Sequence, residues 1–269
     1  LATASLPTLE EMEKIGDERM NGKTLDELLA LSAREVSLLS FSGVESYCID
    51  GVYLTEASAE MLRSGKWNDV TILTGYVSGD ISLSGGSVPS TKEDYETQVR
   101  ELFGEECLSA YPSEGTEDYA AQFEEIYRDA QIAKLNYIAQ LAAEGGSEKD
   151  VYIWFFTHVI PGPQADKLGC FHTADVPYFM NIFSAEREGY WTQADYDVGA
   201  MMAGYLVNFV KTGDPNGKDI NGEDLTAWQP CEQADNYLFV AEESEMRSLT
   251  DAQTQFWTDY YKEGGNILF

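Results

Sequence analysis

Two histidines are present in the 269 residues, and one of them stands where a proton-transfer group would be held. His172 lies in Gly169-Cys170-Phe171-His172-Thr173-Ala174-Asp175-Val176-Pro177-Tyr178-Phe179, one Gly/Pro-containing loop after the apolar run Val151-Tyr152-Ile153-Trp154-Phe155-Phe156. An imidazole titrates near neutral pH, so a histidine carried on a loop after a strand can take a proton and return it. Asp80 follows a second apolar run, residues 70–76, within the small-residue loop Ser78-Gly79-Asp80-Ile81-Ser82-Leu83-Ser84-Gly85-Gly86. A carboxylate so placed can accept an imidazole Nδ1–H and stabilise the charged ring. Functional groups of open α/β sheets collect at the C-terminal ends of the strands, where this loop begins. Each residue also has an ordinary reading. A lone histidine is commonly structural, and an aspartate among Gly and Ser is commonly a turn residue. Sequence alone does not bring the two together. His158, in Thr157-His158-Val159-Ile160-Pro161, reads as a strand-end residue packing on the sheet rim.

The elements that must hold these residues show in the periodicity. Residues 70–76 and 151–156 are short, apolar and β-branched or aromatic, as in parallel strands covered on both faces. Helix signals surround them. Thr8-Leu9-Glu10-Glu11 and Thr24-Leu25-Asp26-Glu27 are capping boxes, and a short helix is expected over residues 57–64. Between these, residues 48–53 read as a turn between extended pieces. Residues 91–142 read as helical, with Tyr119, Phe123, Ile126, Ala130, Ala133, Tyr137 and Leu141 drawing one apolar stripe. Further helices are expected at 193–211, stopped by Thr212-Gly213-Asp214-Pro215, and after a cap at Thr250. Strands alternating with helices predict an open α/β sheet with a helical insertion.

Composition sets limits. Hydrophobic residues make up 43% and aromatic residues 12%, which suits a folded core. Lys and Arg number 17 against 47 Asp and Glu, giving a net charge of −30. Such a surface repels nucleic acid and anionic membranes, and no apolar run is long enough to insert in a bilayer. Cys48, Cys107, Cys170 and Cys231 form no CxxC pair. The acidic stretch from Asp214 to Asp224 fails the EF-hand spacing, with Lys218 at a ligand slot and Asp219 at the glycine slot. His158, Asp166, His172 and Asp175 match no compact metal motif. No cofactor or metal is expected.

The His172 segment closely resembles the histidine loop of the type-B carboxylesterases, the family that includes the cholinesterases. The resemblance extends along most of the chain. Ile49-Asp50-Gly51 with residues 59–66 is similar to the family's stretch before the acid strand, and residues 72–80 to that strand and its acid loop. Phe209-Val210-Lys211-Thr212-Gly213-Asp214-Pro215-Asn216 resembles the family's GDPN segment. Ala227-Trp228-Gln229-Pro230 and Asn236-Tyr237-Leu238 resemble its closing motif.

That resemblance implies an α/β-hydrolase fold. The chain is then the C-terminal part of one such domain, with a mostly parallel sheet and a helical insertion over residues 88–150. It implies hydrolysis of small-molecule carboxylic esters, with His172 as the catalytic base and Asp80 as the triad acid. Most members have Glu within Asp-Glu-Gly where this chain has Gly79-Asp80-Ile81. Asp175 falls on a family acid taken as structural. No Gly-x-Ser-x-Gly occurs in the 269 residues. The serine nucleophile and the glycine-rich oxyanion loop are therefore expected upstream, and Leu1 reads as the interior of a longer chain. The 269 residues alone are expected to be inactive. The alternative is a non-catalytic relative that uses this scaffold for binding or adhesion. Such relatives typically lose triad residues, which the presence of His172 and Asp80 opposes.

Overall fold

A computed structural model describes residues 6–20, 22–38, 47–80, 88–231 and 236–265. Its centre is a four-stranded sheet of order β1-β2-β3-β4: β1 Ile72–Val77, β2 Val151–Phe156, β3 Asn236–Val240 and β4 Ser244–Ser248. The first three strands are parallel and β4 closes one edge antiparallel. Parallel neighbours need long crossovers, and helices supply them. Before β1 come α1 Leu9–Met20, α2 Leu25–Leu29, α3 Ala33–Ser37 and α4 Ser58–Arg63. Between β1 and β2 lie α5 Lys92–Phe103, α6 Cys107–Ala110 and α7 Tyr119–Glu144. Between β2 and β3 lie α8 Ala165–Leu168, α9 Val176–Phe179 and α10 Gln193–Thr212, and α11 Asp251–Lys262 follows β4.

Alternation along the strands divides the interior in two, because successive side chains point to opposite faces. Val151, Ile153, Phe155 and Tyr237 join the core beneath α5, α7 and α11. Tyr152, Phe156, Leu238 and Val240 join a second core with Tyr178 of α9, Val198, Met202 and Tyr205 of α10, and Trp228. Each large apolar side chain taken fully from water contributes roughly 1.5–3 kcal/mol, so neither face of the sheet can be left bare. Burial on both faces is what the unbroken apolar composition of β2 predicts.

Helix α7 carries the expected apolar stripe, yet its middle is buried all round. Asp129, Gln131, Lys134 and Asn136 are buried beside Ala130 and Ala133. Asp129 is satisfied by Arg128 Nε at 2.8 Å and by the Tyr111 hydroxyl at 2.9 Å, and that hydroxyl accepts from Trp257 Nε1. Burial outweighs the guanidinium and pushes the Asp129 carboxyl up to about 6.

Local signals place most boundaries. Thr91, Asp118 and Thr250 cap α5, α7 and α11 with their side chains. Gly213 ends α10 with φ at 80°, the left-handed conformation that glycine adopts without steric cost. Strand β1 runs from Ile72 to Val77 with Val70 exposed ahead of it, and only Val77 is fully buried, so this strand is less covered than its apolar composition predicts. Helices α1 and α2 form where their capping boxes predict, α3 follows behind a box of Ser32 and Glu35 that the expected elements did not include, and none of the three buries a residue. The turn at 48–53 is organised by Asp50 Oδ1, which accepts the N–H groups of Val52, Tyr53 and Leu54. Residues 81–87 of the loop after Asp80 lie outside the described residues. None of the four cysteines is in a disulfide. Among the described residues no helix is long and apolar enough to cross a membrane.

Candidate active site

The site is assembled where the loops after β1 and β2 meet. Residues 78–80 form a single 3-10 turn directly after β1. Gly79 N–H donates to the Cys170 carbonyl at 2.8 Å. A Cβ on Gly79 would stand 2.1 Å from that oxygen, so only glycine permits the two loops to touch this closely. Asp80 Oδ2 accepts the Val77 N–H at 3.3 Å, which aims the other oxygen outward. Asp80 Oδ1 then meets His172 Nδ1 at 2.6 Å across 92 residues of sequence.

The His172 loop is held from below. Gly169 adopts φ 56° with ψ −151°, a backbone region closed to side-chain-bearing residues. Cys170 Sγ donates to the Phe156 carbonyl at 3.3 Å, and burial pushes its thiol up to about 11. It therefore stays protonated and anchors the loop; it is not an activated nucleophile. Thr173, next to the histidine, has φ 70°. A β-branched residue there stores local strain, of the kind found where a loop is held in one functional conformation. Asp175 Oδ2 accepts from Trp154 Nε1 at 3.2 Å. The indole fits because its partner across the β1–β2 ladder is Gly75, where a Cβ would come within 2.4 Å of the ring. Burial pushes the Asp175 carboxyl up, and the Asp80 charge adds to it. Asp175 thus braces the loop from the sheet side, as the resemblance implied.

Exposure decides what the pair can do. The His172 side chain is 65% exposed and Asp80 14%. Nδ1 is engaged by the carboxylate, and Nε2 has no partner among the described residues. The hydrogen bond to Asp80 favours the tautomer with the proton on Nδ1, leaving the Nε2 lone pair facing outward. That is the geometry of a general base with an orienting acid.

The other histidine has a different setting. His158 Nε2 bonds Asp195 Oδ1 at 2.9 Å, with the two side chains 11% and 3% exposed. Asp195 also accepts from the Tyr178 hydroxyl at 2.8 Å and from Thr192 N–H and Oγ1 at 2.8 and 2.7 Å. The pair is part of the N-terminal cap of α10. His158 does sit at the strand end on the sheet rim, but the sequence reading did not find its carboxylate. The available signal was Thr192 three residues before Asp195, a capping pair.

A mostly parallel sheet with an acid at one strand end and a histidine loop after the next strand is the arrangement of an α/β-hydrolase. The profile of the carboxylesterase family matches residues 18–257, and the chain belongs to that family. It is 22% identical to the cocaine esterase of Homo sapiens over 264 residues, 88% of this chain and 44% of that protein. It is 33% identical to the bile salt-activated lipase of Homo sapiens over 130 residues, 46% of this chain and 17% of the lipase. Among solved structures, the carboxylesterase of Geobacillus stearothermophilus superposes with a TM-score of 0.64 at 18% identity, covering 94% of this chain and 55% of its own. A PNB esterase does so with a TM-score of 0.62 at 14% identity, covering 95% and 56%. The match thus spans about half the length of the cocaine esterase and of the two solved structures, and 17% of the lipase.

Proposed function

We propose that this chain supplies the base and the acid of a serine-type carboxylic ester hydrolase, and that the nucleophilic serine comes from outside these 269 residues. The observation that carries the reading is the 2.6 Å bond between His172 Nδ1 and Asp80 Oδ1, with Nε2 open to solvent. In the acylation step Nε2 takes the proton of the attacking serine hydroxyl and then gives it to the leaving alcohol. In deacylation the same nitrogen takes a proton from water and returns it to the serine. Asp80 holds the ring and stabilises the imidazolium formed in each step. Asp175 and Gly79 fix the two loops and touch no reacting atom. On this reading the chain is the C-terminal part of one hydrolase domain, residues 88–150 are its helical insertion, and the substrate is a small ester.

A binding or adhesion protein on the same scaffold has no need of an open imidazole on a partly buried carboxylate, so that reading is set second. The experiment is a double-mutant cycle in an active protein containing this chain, read as kcat for an aryl ester. His172→Ala and His172→Ala/Asp80→Asn should lose about the same activity, because the pair acts as a unit. Full additivity of the two losses, or a loss of only a few-fold for His172→Ala, would refute the assignment.

A further inference from the structure

We infer that the cleft beside the His172 loop binds the carboxylate end of an ester substrate, with Arg187 as the anchor; this rests on the ester-hydrolase reading above. The cleft has a volume of about 350 Å³ and is walled by Ile160, Pro163, Leu168, Phe171 and Tyr190, with Gln164, Glu186 and Arg187 on its rim. That size is within the range of small-molecule sites, and the cleft is half open with a mixed lining that is more polar than apolar. Phe171 on the cleft wall immediately precedes His172, which puts the cleft beside the histidine loop.

In a chain of net charge −30, Arg187 shares with Arg19 and Arg34 the lack of an ion pair among the described residues. Arg63, Arg100, Arg128 and Arg247 each meet a carboxylate. Arg187 instead donates Nη1 to the Pro161 carbonyl at 2.9 Å, and its other donors have no partner among the described residues. The carbonyl fixes the guanidinium without neutralising it. Gly162 lies against it, where a Cβ would come 2.8 Å from Nη1. A planar fork of N–H donors held at the cleft matches a carboxylate, which it can bind through two parallel bonds. Glu186, on the same rim, makes no ion pair with Arg187 among the described residues. It disfavours a dianion and leaves a monocarboxylate as the best match. The net charge of the chain opposes any anion at long range, but screening confines that repulsion to about 8 Å at physiological salt.

The test is binding without turnover. Monohexyl succinate, a monoanionic ester, is titrated into the 269-residue chain and followed through the backbone amide shifts of Leu168, Phe171 and Tyr190. Saturable shifts are expected, with affinity at least tenfold lower for Arg187→Gln, intermediate for Arg187→Lys, and at least tenfold lower for the neutral methyl hexyl succinate. Equal binding of the charged and neutral esters, unchanged affinity in Arg187→Gln, or shifts that do not saturate would overturn the inference. Should Arg187→Gln not fold, the Lys variant and the neutral ester still decide. Because no ester is cleaved in this assay, its failure leaves the roles of His172 and Asp80 untouched, and their failure leaves it standing.

Discussion

Each histidine of this chain is bonded to an aspartate, and the two pairs do opposite things with the same chemistry. His158 and Asp195 are buried, and the carboxylate accepts four donors. His172 rises 65% exposed from a carboxylate that is 14% exposed, with one ring nitrogen free. A buried carboxylate with four donors on it fixes the start of a helix. An exposed ring on a shielded acid keeps a site for a proton. Each ring makes one bond to a carboxylate, so it is the exposure of the ring, 11% against 65%, more than its partner's identity, that separates the two histidines.

The comparison can be broken in several ways, the largest effect first. The 269-residue chain by itself should give no turnover of an aryl ester, because on the proposed reading the nucleophilic serine comes from outside it. Steady hydrolysis at enzymatic rates by the purified chain would place the nucleophile among its own serines. In an active protein containing the chain, Asp80→Asn should lower kcat by roughly 10⁴-fold, since an amide can hold the ring in the wrong tautomer. A loss under tenfold would make Asp80 a turn residue.

Asp195→Ala should act on stability. Removing one partner of a buried pair costs about 3 kcal/mol, seen as a lower denaturation midpoint. The sign of its pH dependence is fixed. Burial pushes the Asp195 carboxyl up, but His158, Thr192 and Tyr178 donate to it and hold it below its ordinary value of 3.8. A group lowered on folding contributes stability above its unfolded pKa and loses it as pH falls through the folded value. Urea titrations below pH 4 should therefore show a shallower acid loss in Asp195→Asn than in the unsubstituted chain. The smallest effect is at Thr173, where φ is 70°. Thr173→Gly relieves strain and adds chain entropy on unfolding, so stability should change by about 1 kcal/mol or less, measured by urea denaturation.

Much of the frame was legible because local rules wrote it. Thr91, Thr250 and Gly213 mark helix ends through their own backbone chemistry, and Val151–Phe156 is a strand by composition alone. The site was legible only in part. The order of Asp80 and His172 along the chain pointed to a pair, while their distance depends on Gly79 lying against Cys170, a contact between loops 91 residues apart that no local pattern encodes. Trp154 reaching Asp175 over Gly75 depends on the register of β1 on β2. Asp195 escaped notice because its helix-capping role is visible locally and its histidine partner is not.

The most direct test sets the two histidines side by side. In an active protein containing this chain, kcat/KM for an aryl ester is measured for His172→Ala and His158→Ala, together with the thermal midpoint of each. The account predicts a loss of roughly 10⁴-fold or more for His172→Ala with an almost unchanged midpoint. For His158→Ala it predicts a lowered midpoint, with kcat/KM within a few-fold wherever the protein remains folded. Activity that survives His172→Ala and disappears in folded His158→Ala would contradict it.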